Sequence, residues 1–243
     1  MIIMDTESDG FKYESTRIWV IVGWDTIQKQ FSMSFDEGYY PTPLDLSGVK
    51  VYDTHEEHVA AWREEVVCAH NYFQHDKPLL KRLIPAYKAW KEEDTYIQSQ
   101  VLNPDRGGHG LEYFGKLLGR YKPEHEDWSQ FSPQMVWRCW EDVQINILTY
   151  DLLQKEMEGW DWRKALTLEY QVADLQGRQE MYGLALDEGK AYDLAEWLYT
   201  EIQAIDETLL EQMPQRVIKG GVVETPYKLD GTLTKRVEDW FRG

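Results

Sequence analysis

The sequence predicts a mixed α/β sheet with helices on its faces over residues 1–158, followed by a helical extension over residues 159–243. Two patterns point there. Short β-branched and aromatic runs alternate with amphipathic stretches in the first part. The second part holds two long stretches with apolar residues at helical spacing. A third observation places both in a folded chain: hydrophobic residues make up 42% of the sequence, with 11 Trp and 15 Tyr, enough to build a core.

The elements follow in order. "IIMD" begins an apolar first strand. "RIWVIVGWD" (17–25) is β-branched and aromatic, and "QKQFSMSF" (28–35) alternates, so the two read as a hairpin. "THEEHVAAWREEV" (54–66) opens with Thr54 and Glu57 at capping-box spacing and predicts a surface helix. His55 and His58 lie on it and are given no metal role. "VVCAHNY" (66–72) reads as a buried strand. "DKPLLKRLIPAYKAW" (76–90) reads as a helix with Pro78 in its first turn and Pro85 bending or ending it. "TYIQSQVL" (95–102) supplies a fifth strand, "NPDRGG" a loop, and "HGLEYFGKLLG" (109–119) a short helix closed by Gly119.

Ser132-Pro133 starts a longer helix, with apolar residues at Val136, Trp140, Val143, Ile147 and Met157. Residues 163–183 and 187–213 are helical, the second capped by Asp187 and striped by Leu194, Leu198, Ile202, Ile205 and Leu209. That stripe has little local cover and argues for a partner surface. Residues 218–235 are rich in Gly, Pro and Thr and read as irregular.

Charge and cysteine content narrow the function. A net charge of −17 gives no general attraction for nucleic acid or anionic membrane, so a nucleic-acid site must be local, use metal ions or lean on a partner. Two cysteines make neither a disulfide framework nor a zinc pattern. No apolar run approaches membrane-spanning length, and the N-terminus has no basic flank, so a cytoplasmic protein is expected.

The chemistry sits in scattered acids. Asp5 and Glu7 in "MDTESDG" share one side of a strand, where paired oxygen ligands suit magnesium or manganese. Taken alone, such a pair is an ordinary solvated strand end. Asp76 follows an apolar strand and starts a helix, a position that an N-cap also explains. Asp142 lies beside the apolar side of a helix, where a carboxylate needs a partner or a metal; Arg138, one turn earlier, is the local candidate. As a set, these acids can converge at one sheet edge. Four carboxylates holding two divalent ions make a phosphoryl-transfer site.

"MDTES", "AHNYFQHDKPLLKRL", "GGHGLEYFGKLLG" and "MVWRCWEDVQINILTYDLLQ", in this order, resemble the 3′–5′ proofreading exonuclease domain of family A DNA polymerases, most closely the phage branch. The resemblance covers residues 1–158 and implies an RNase H-like fold. It assigns Asp5, Glu7, Asp76 and Asp142 as catalytic ligands of two Mg²⁺ or Mn²⁺ ions, and Thr6 and Asn71 to the substrate; Arg138 is a further substrate-binding candidate by its charge. Asp5 would bridge the ions. Residues 180–213 and 227–235 are similar to the segments that lead into the polymerase thumb. No palm or finger motif is present in these residues, so the resemblance implies an exonuclease part that works with palm and fingers carried by a second chain, as in a split polymerase, or by the rest of a longer chain of which this is a piece, in a phage-infected host cell. DNA with a single-stranded or frayed 3′ end is the implied substrate.

One departure stands out. The family has a Tyr four residues before the last Asp, and here that position is Arg138; the His-type subfamily has a His five residues before it, and here that is Trp137. Arg138 could bind the scissile phosphate, or pair with Asp142 and weaken the activity. His75 replaces an aromatic residue usual before Asp76. His70 and His109 read as structural hydrogen-bonding groups, and Tyr72 and Phe73 as aromatics within reach of a frayed base. A catalytically weakened interaction subunit of a split polymerase or replication complex is the alternative; a freestanding exonuclease for short oligonucleotides is a third option, disfavoured by the polymerase-like tail.

Overall fold

The computed structural model describes residues 1–36, 38–40, 45–123, 125, 127–213, 226–228 and 231–242. Six strands, β1 (Ile2–Ser8), β2 (Ile18–Asp25), β3 (Gln30–Phe35), β4 (Lys50–Tyr52), β5 (Val66–Ala69) and β6 (Lys91–Asp94), form one sheet in the order β4-β3-β2-β1-β5-β6. The β1–β2 and β2–β3 pairs are antiparallel; β1–β5, β5–β6 and β3–β4 are parallel.

Each face of the central strand has its own core, because side chains alternate along it. Ile2 and Met4 join Trp62, Leu79, Leu80 and Tyr87 on one side. Ile3 joins Val20, Val22, Val136, Cys139 and Val143 on the other. The first side is covered by α1 (His55–Ala60), α2 (Asp76–Leu83) and α6 (Arg163–Tyr182). The second is covered by α5 (Pro133–Glu156), which starts as the Ser-Pro signal predicts, with the Ser132 hydroxyl accepting the Met135 N–H. Helices α3 (Thr95–Leu102) and α4 (Leu111–Leu118) pack on α5, and α4 ends at Gly119 in the left-handed conformation (φ 73°).

α6 belongs to this unit, which runs from Met1 to Leu184. It lies against the loop before α2: a Cβ on Gly177 would stand 2.4 Å from the Phe73 carbonyl oxygen, so only glycine allows the approach. Residues Ala185–Gly243 form a second unit. It holds α7 (Glu188–Gln212), whose first turn is capped by the Asp187 carboxylate accepting the Lys190 N–H, and α8 (Lys235–Arg242). α7 carries no buried residue. Of the stretch 218–235, residues 218–225, 229 and 230 lie outside the described residues; Tyr227 and Leu233 form an isolated antiparallel bridge.

Several expectations are corrected. The sheet has six strands, not five. Residues 95–102 form a helix, because the Asp94 carboxylate accepts the N–H groups of Tyr96 and Ile97 and turns the chain; the strand is the charged run just before it. The helix expected over 76–90 stops at Leu83, two residues before Pro85, and the one over 54–66 stops at Ala60.

His58 is fully buried rather than on a surface, stacked on Tyr52 at 4.6 Å, and His55 is largely covered. His55 Nε2 lies 2.8 Å from the Ile18 carbonyl, Nδ1 lies 2.7 Å from Ser34 Oγ, and that hydroxyl lies 2.9 Å from His58 Nδ1. Ser32 Oγ lies 2.8 Å from His58 Nε2. The Ile18 carbonyl can only accept, so one consistent chain of donors runs through two neutral rings. Burial holds both imidazoles below their ordinary pKa. We expect NMR to show both rings titrating below the free-histidine midpoint of about 6.5. Protonation of either near the free value would contradict the buried chain.

Candidate metal centre

Three carboxylates converge at the end of β1. Asp5 and Glu7 point to the α5 side, the same side as Ile3, and one turn of α5 brings Asp142 to meet them. One carboxylate oxygen from each of Asp5, Glu7 and Asp142 lies within 4.8 Å of the others. Register along β1 and β2 shifts between Glu7 and Ser8, a bulge at the site. Asp142 is placed by the burial of its neighbours Cys139, Val143 and Asn146.

Asp76 arrives from the opposite face of the sheet. The Thr6 hydroxyl, on the Met4 side of β1, donates to Asp76 Oδ1 at 2.7 Å. Asp76 is buried at the start of α2, and its charge reaches Asp5.

The loop into α2 is held from below. The buried Asp94 carboxylate accepts N–H groups from Asn71 (3.0 Å) and Phe73 (3.3 Å) as well as from α3. Burial nonetheless pushes its pKa up to about 7. Asn71 takes a left-handed conformation (φ 66°). Its side chain lines a separate groove of about 380 Å³ with Gln74, Tyr96 and Gln100, away from the carboxylates.

The electrostatics are those of like charges confined together. Burial, then the charges of Asp76, Asp142 and Glu7, hold the Asp5 carboxyl well above its ordinary range. Burial and the Asp142 charge push Glu7 up to about 8. Burial also raises Asp76 and Asp142, against the opposing pull of His75 and Lys122 respectively. Two cations relieve part of this. Lys122 Nζ lies 2.5 Å from Asp142 Oδ2, and Arg138 Nε lies 3.7 Å from Glu7 Oε1. The Arg138 guanidinium stacks 5.1 Å over Trp128 and donates to the Pro123 carbonyl. Arg138 therefore leans to Glu7, while Asp142 takes Lys122 instead of the expected arginine.

A cavity of about 390 Å³ opens on the cluster, lined by Asp5, Glu7 and Asp142 with Phe11, His75 and Trp128. Asp142 Oδ1 is buried without a hydrogen-bond partner, and its side chain is 4% exposed. An orphaned carboxylate oxygen beside two further carboxylates suits a hard divalent cation. The residues therefore fit the metal that sequence reasoning expects.

Lys122, Phe11 and Trp128 are site residues that sequence reasoning missed. Lys122 and Trp128 fall in a stretch between helices that carries no periodicity. Phe11 sits on an exposed loop pinned by Arg82, whose guanidinium donates to the Lys12 and Ser15 carbonyls. Tyr72 and Phe73 are buried in the core, Tyr72 bonded to the Tyr87 hydroxyl at 2.6 Å, so neither is free to meet a base. His70 and His109 do hydrogen-bond structurally, to Thr95 and Ser99.

No protein-family model matches the sequence. No curated protein matches it. Solved structures do share its fold. Brucella melitensis NrnC with bound Mg²⁺ aligns with a TM-score of 0.52 at 16% identity, over 75% of this chain and 85% of that one. Escherichia coli RNase D, an exoribonuclease involved in structured RNA processing, aligns with a TM-score of 0.52 at 15% identity, over 73% of this chain and 45% of that one. The POL domain of Pol1 from M. smegmatis, in complex with DNA primer-template and dNTP, aligns with a TM-score of 0.57 at 14% identity, over 96% of this chain and 39% of that one. The architecture is an RNase H-like mixed sheet of six strands with flanking helices.

The confined charges predict a trade between stability and metal binding. Asp5 is raised by burial and by the charges of all three other acids, and Lys122 opposes them. Asp5→Asn should stabilise the metal-free protein by on the order of 1 kcal/mol and abolish the Mn²⁺-induced rise in Tm. The metal-free wild type should lose stability as pH rises from 4.5 towards about 8, where Glu7 is charged in the unfolded state but still protonated in the folded one, and the loss should level off above that range. Thermal unfolding in EDTA and in Mn²⁺ reads both effects; a destabilised Asp5→Asn protein would contradict the repulsion.

Proposed function

We propose that this chain is a divalent-metal-dependent 3′–5′ exonuclease that removes nucleotides from nucleic-acid 3′ ends, in the manner of the proofreading domain of a phage-type family A DNA polymerase. The observation that carries the reading is the cluster of Asp5, Glu7 and Asp142 within 4.8 Å, with a buried, unpartnered Asp142 oxygen on an open cavity. Asp5, Glu7 and Asp142, with Asp76 behind them, would hold the ions, two when nucleic acid is bound. Bound there, divalent ions activate water and stabilise charge on the attacking and leaving oxygens of the phosphodiester.

The remaining groups have roles that suit a 3′ end. Thr6 keeps Asp76 aimed at Asp5. Phe11, which is 66% exposed, and Trp128 offer ring faces at the cavity for the terminal base. Lys122 and Arg138 supply cations that a phosphate can meet once it enters. Hydrolysis of the last phosphodiester then releases a nucleoside monophosphate.

The polymerase context rests on the sequence resemblance, and the alignment to the DNA-bound M. smegmatis POL domain over 96% of the chain supports it. In this reading residues 1–158 are the nuclease part, and residues 159–243 lead toward palm and fingers that lie outside this sequence, in a phage-infected cell. The nucleic acid is DNA in that setting; NrnC bound to pGG shares the fold, so short oligonucleotides belong in the test.

A second reading has one observation in its favour. Lys122 and Arg138 already engage Asp142 and Glu7, which would suit a metal-free interaction subunit of a replication complex. Incubating 5′-labelled single-stranded DNA, RNA and dinucleotides with Mg²⁺ or Mn²⁺ separates the two. We expect a stepwise ladder from the DNA 3′ end, lost in EDTA and reduced on the order of a thousandfold in Asp5→Ala. Intact substrate with both metals, in the presence of any polymerase partner chain, would support the second reading.

A further inference from the structure

The charges around the cluster do not balance as four carboxylates and two divalent ions would. Metal ligation keeps Asp5, Glu7, Asp76 and Asp142 ionised. Two cations already stand among them: Lys122 at 2.5 Å from Asp142, and Arg138 at 3.7 Å from Glu7. Their side chains are only 25% and 18% exposed, so solvent screens them weakly. Four negative charges against two positive ones leave an excess of two. One divalent ion neutralises that excess. A second would leave the site with two unbalanced positive charges.

We infer that Lys122 and Arg138 stand in for the charge of a second metal ion, so that the nucleic-acid-free protein holds a single tightly bound divalent cation. The inference rests on the carboxylate cluster being the metal site proposed above. Lys122 saturates Asp142 Oδ2 and leaves Oδ1 as that residue's open ligand atom. Arg138 is anchored by the Pro123 carbonyl and the Trp128 ring, so it is held beside Glu7 rather than free to leave. Both cations also line a second cavity of about 500 Å³ with Glu112, Lys116, Tyr121 and Pro123. An incoming phosphate brings the negative charge that the second ion lacks, and that cavity gives the Lys122 side chain room to turn toward it. The acidic balance of the chain does not explain the pair: among the described residues, Lys122 and Arg138 are the Lys and Arg side chains paired with the proposed metal ligands.

Mn²⁺ titration of the full chain without nucleic acid, followed by calorimetry and by electron paramagnetic resonance, tests this. The wild type should bind one ion tightly. Lys122→Met with Arg138→Met should bind two, the second tightened on the order of tenfold to a hundredfold. Lys122→Arg, which keeps the charge, should stay at one; circular dichroism checks that each variant is folded. Two tight ions in the wild type, or one in the folded double variant, would overturn the inference while leaving the metal site standing. No tight ion in the wild type, or uptake that persists in Asp5→Ala, would instead overturn the metal-site reading and the inference with it.

Discussion

Mutual repulsion among buried carboxylates is the constraint on which this structure turns. Asp5, Glu7 and Asp142 crowd within 4.8 Å at the end of the central strand, with Asp76 behind. Left alone, such a group would protonate, take up water or push the elements apart. The chain holds it together by building the acids into rigid positions: two on a strand with neighbours on both sides, one on a helix whose adjacent residues are buried, one at the first turn of another helix. Lys122 and Arg138 then offset part of the charge. An arrangement so costly to maintain is what the proposed cation site would account for.

The supporting architecture makes sense in those terms. Asp94 has no place in the cluster, yet it fixes the loop that delivers Asp76, by accepting backbone N–H groups from that loop and from α3. Gly177 lets α6 close on the same loop, so this helix also bears on the site. The His55–Ser34–His58 chain lies away from the cavity and serves packing under β3. Function and stability thus occupy separate polar networks.

Much of this was legible in the sequence, for identifiable reasons. Strict alternation along "IIMDTES" puts Asp5 and Glu7 on one side, and Ser132-Pro133 fixes the phase of the helix that carries Asp142. The eight residues 95–102 were not legible, because so short an apolar-polar run fits either period; the capping carboxylate of Asp94 decides. β6 was hidden because "KEED" is charged, which an edge strand tolerates. His58 looked like a surface residue because charged neighbours surround it in the sequence, while its partners Ser32 and Ser34 come from another element. Lys122 lies between helices, and only the tertiary fold brings it to Asp142.

The most direct test of the metal centre is a crystal structure of the Mn²⁺-soaked protein with anomalous scattering collected at the manganese edge. An anomalous peak ligated by Asp5 with Glu7 and Asp142, including the otherwise unpartnered Asp142 Oδ1, is the predicted result. Carboxylates bridged only by Lys122 and Arg138, with no peak among them, would contradict the account.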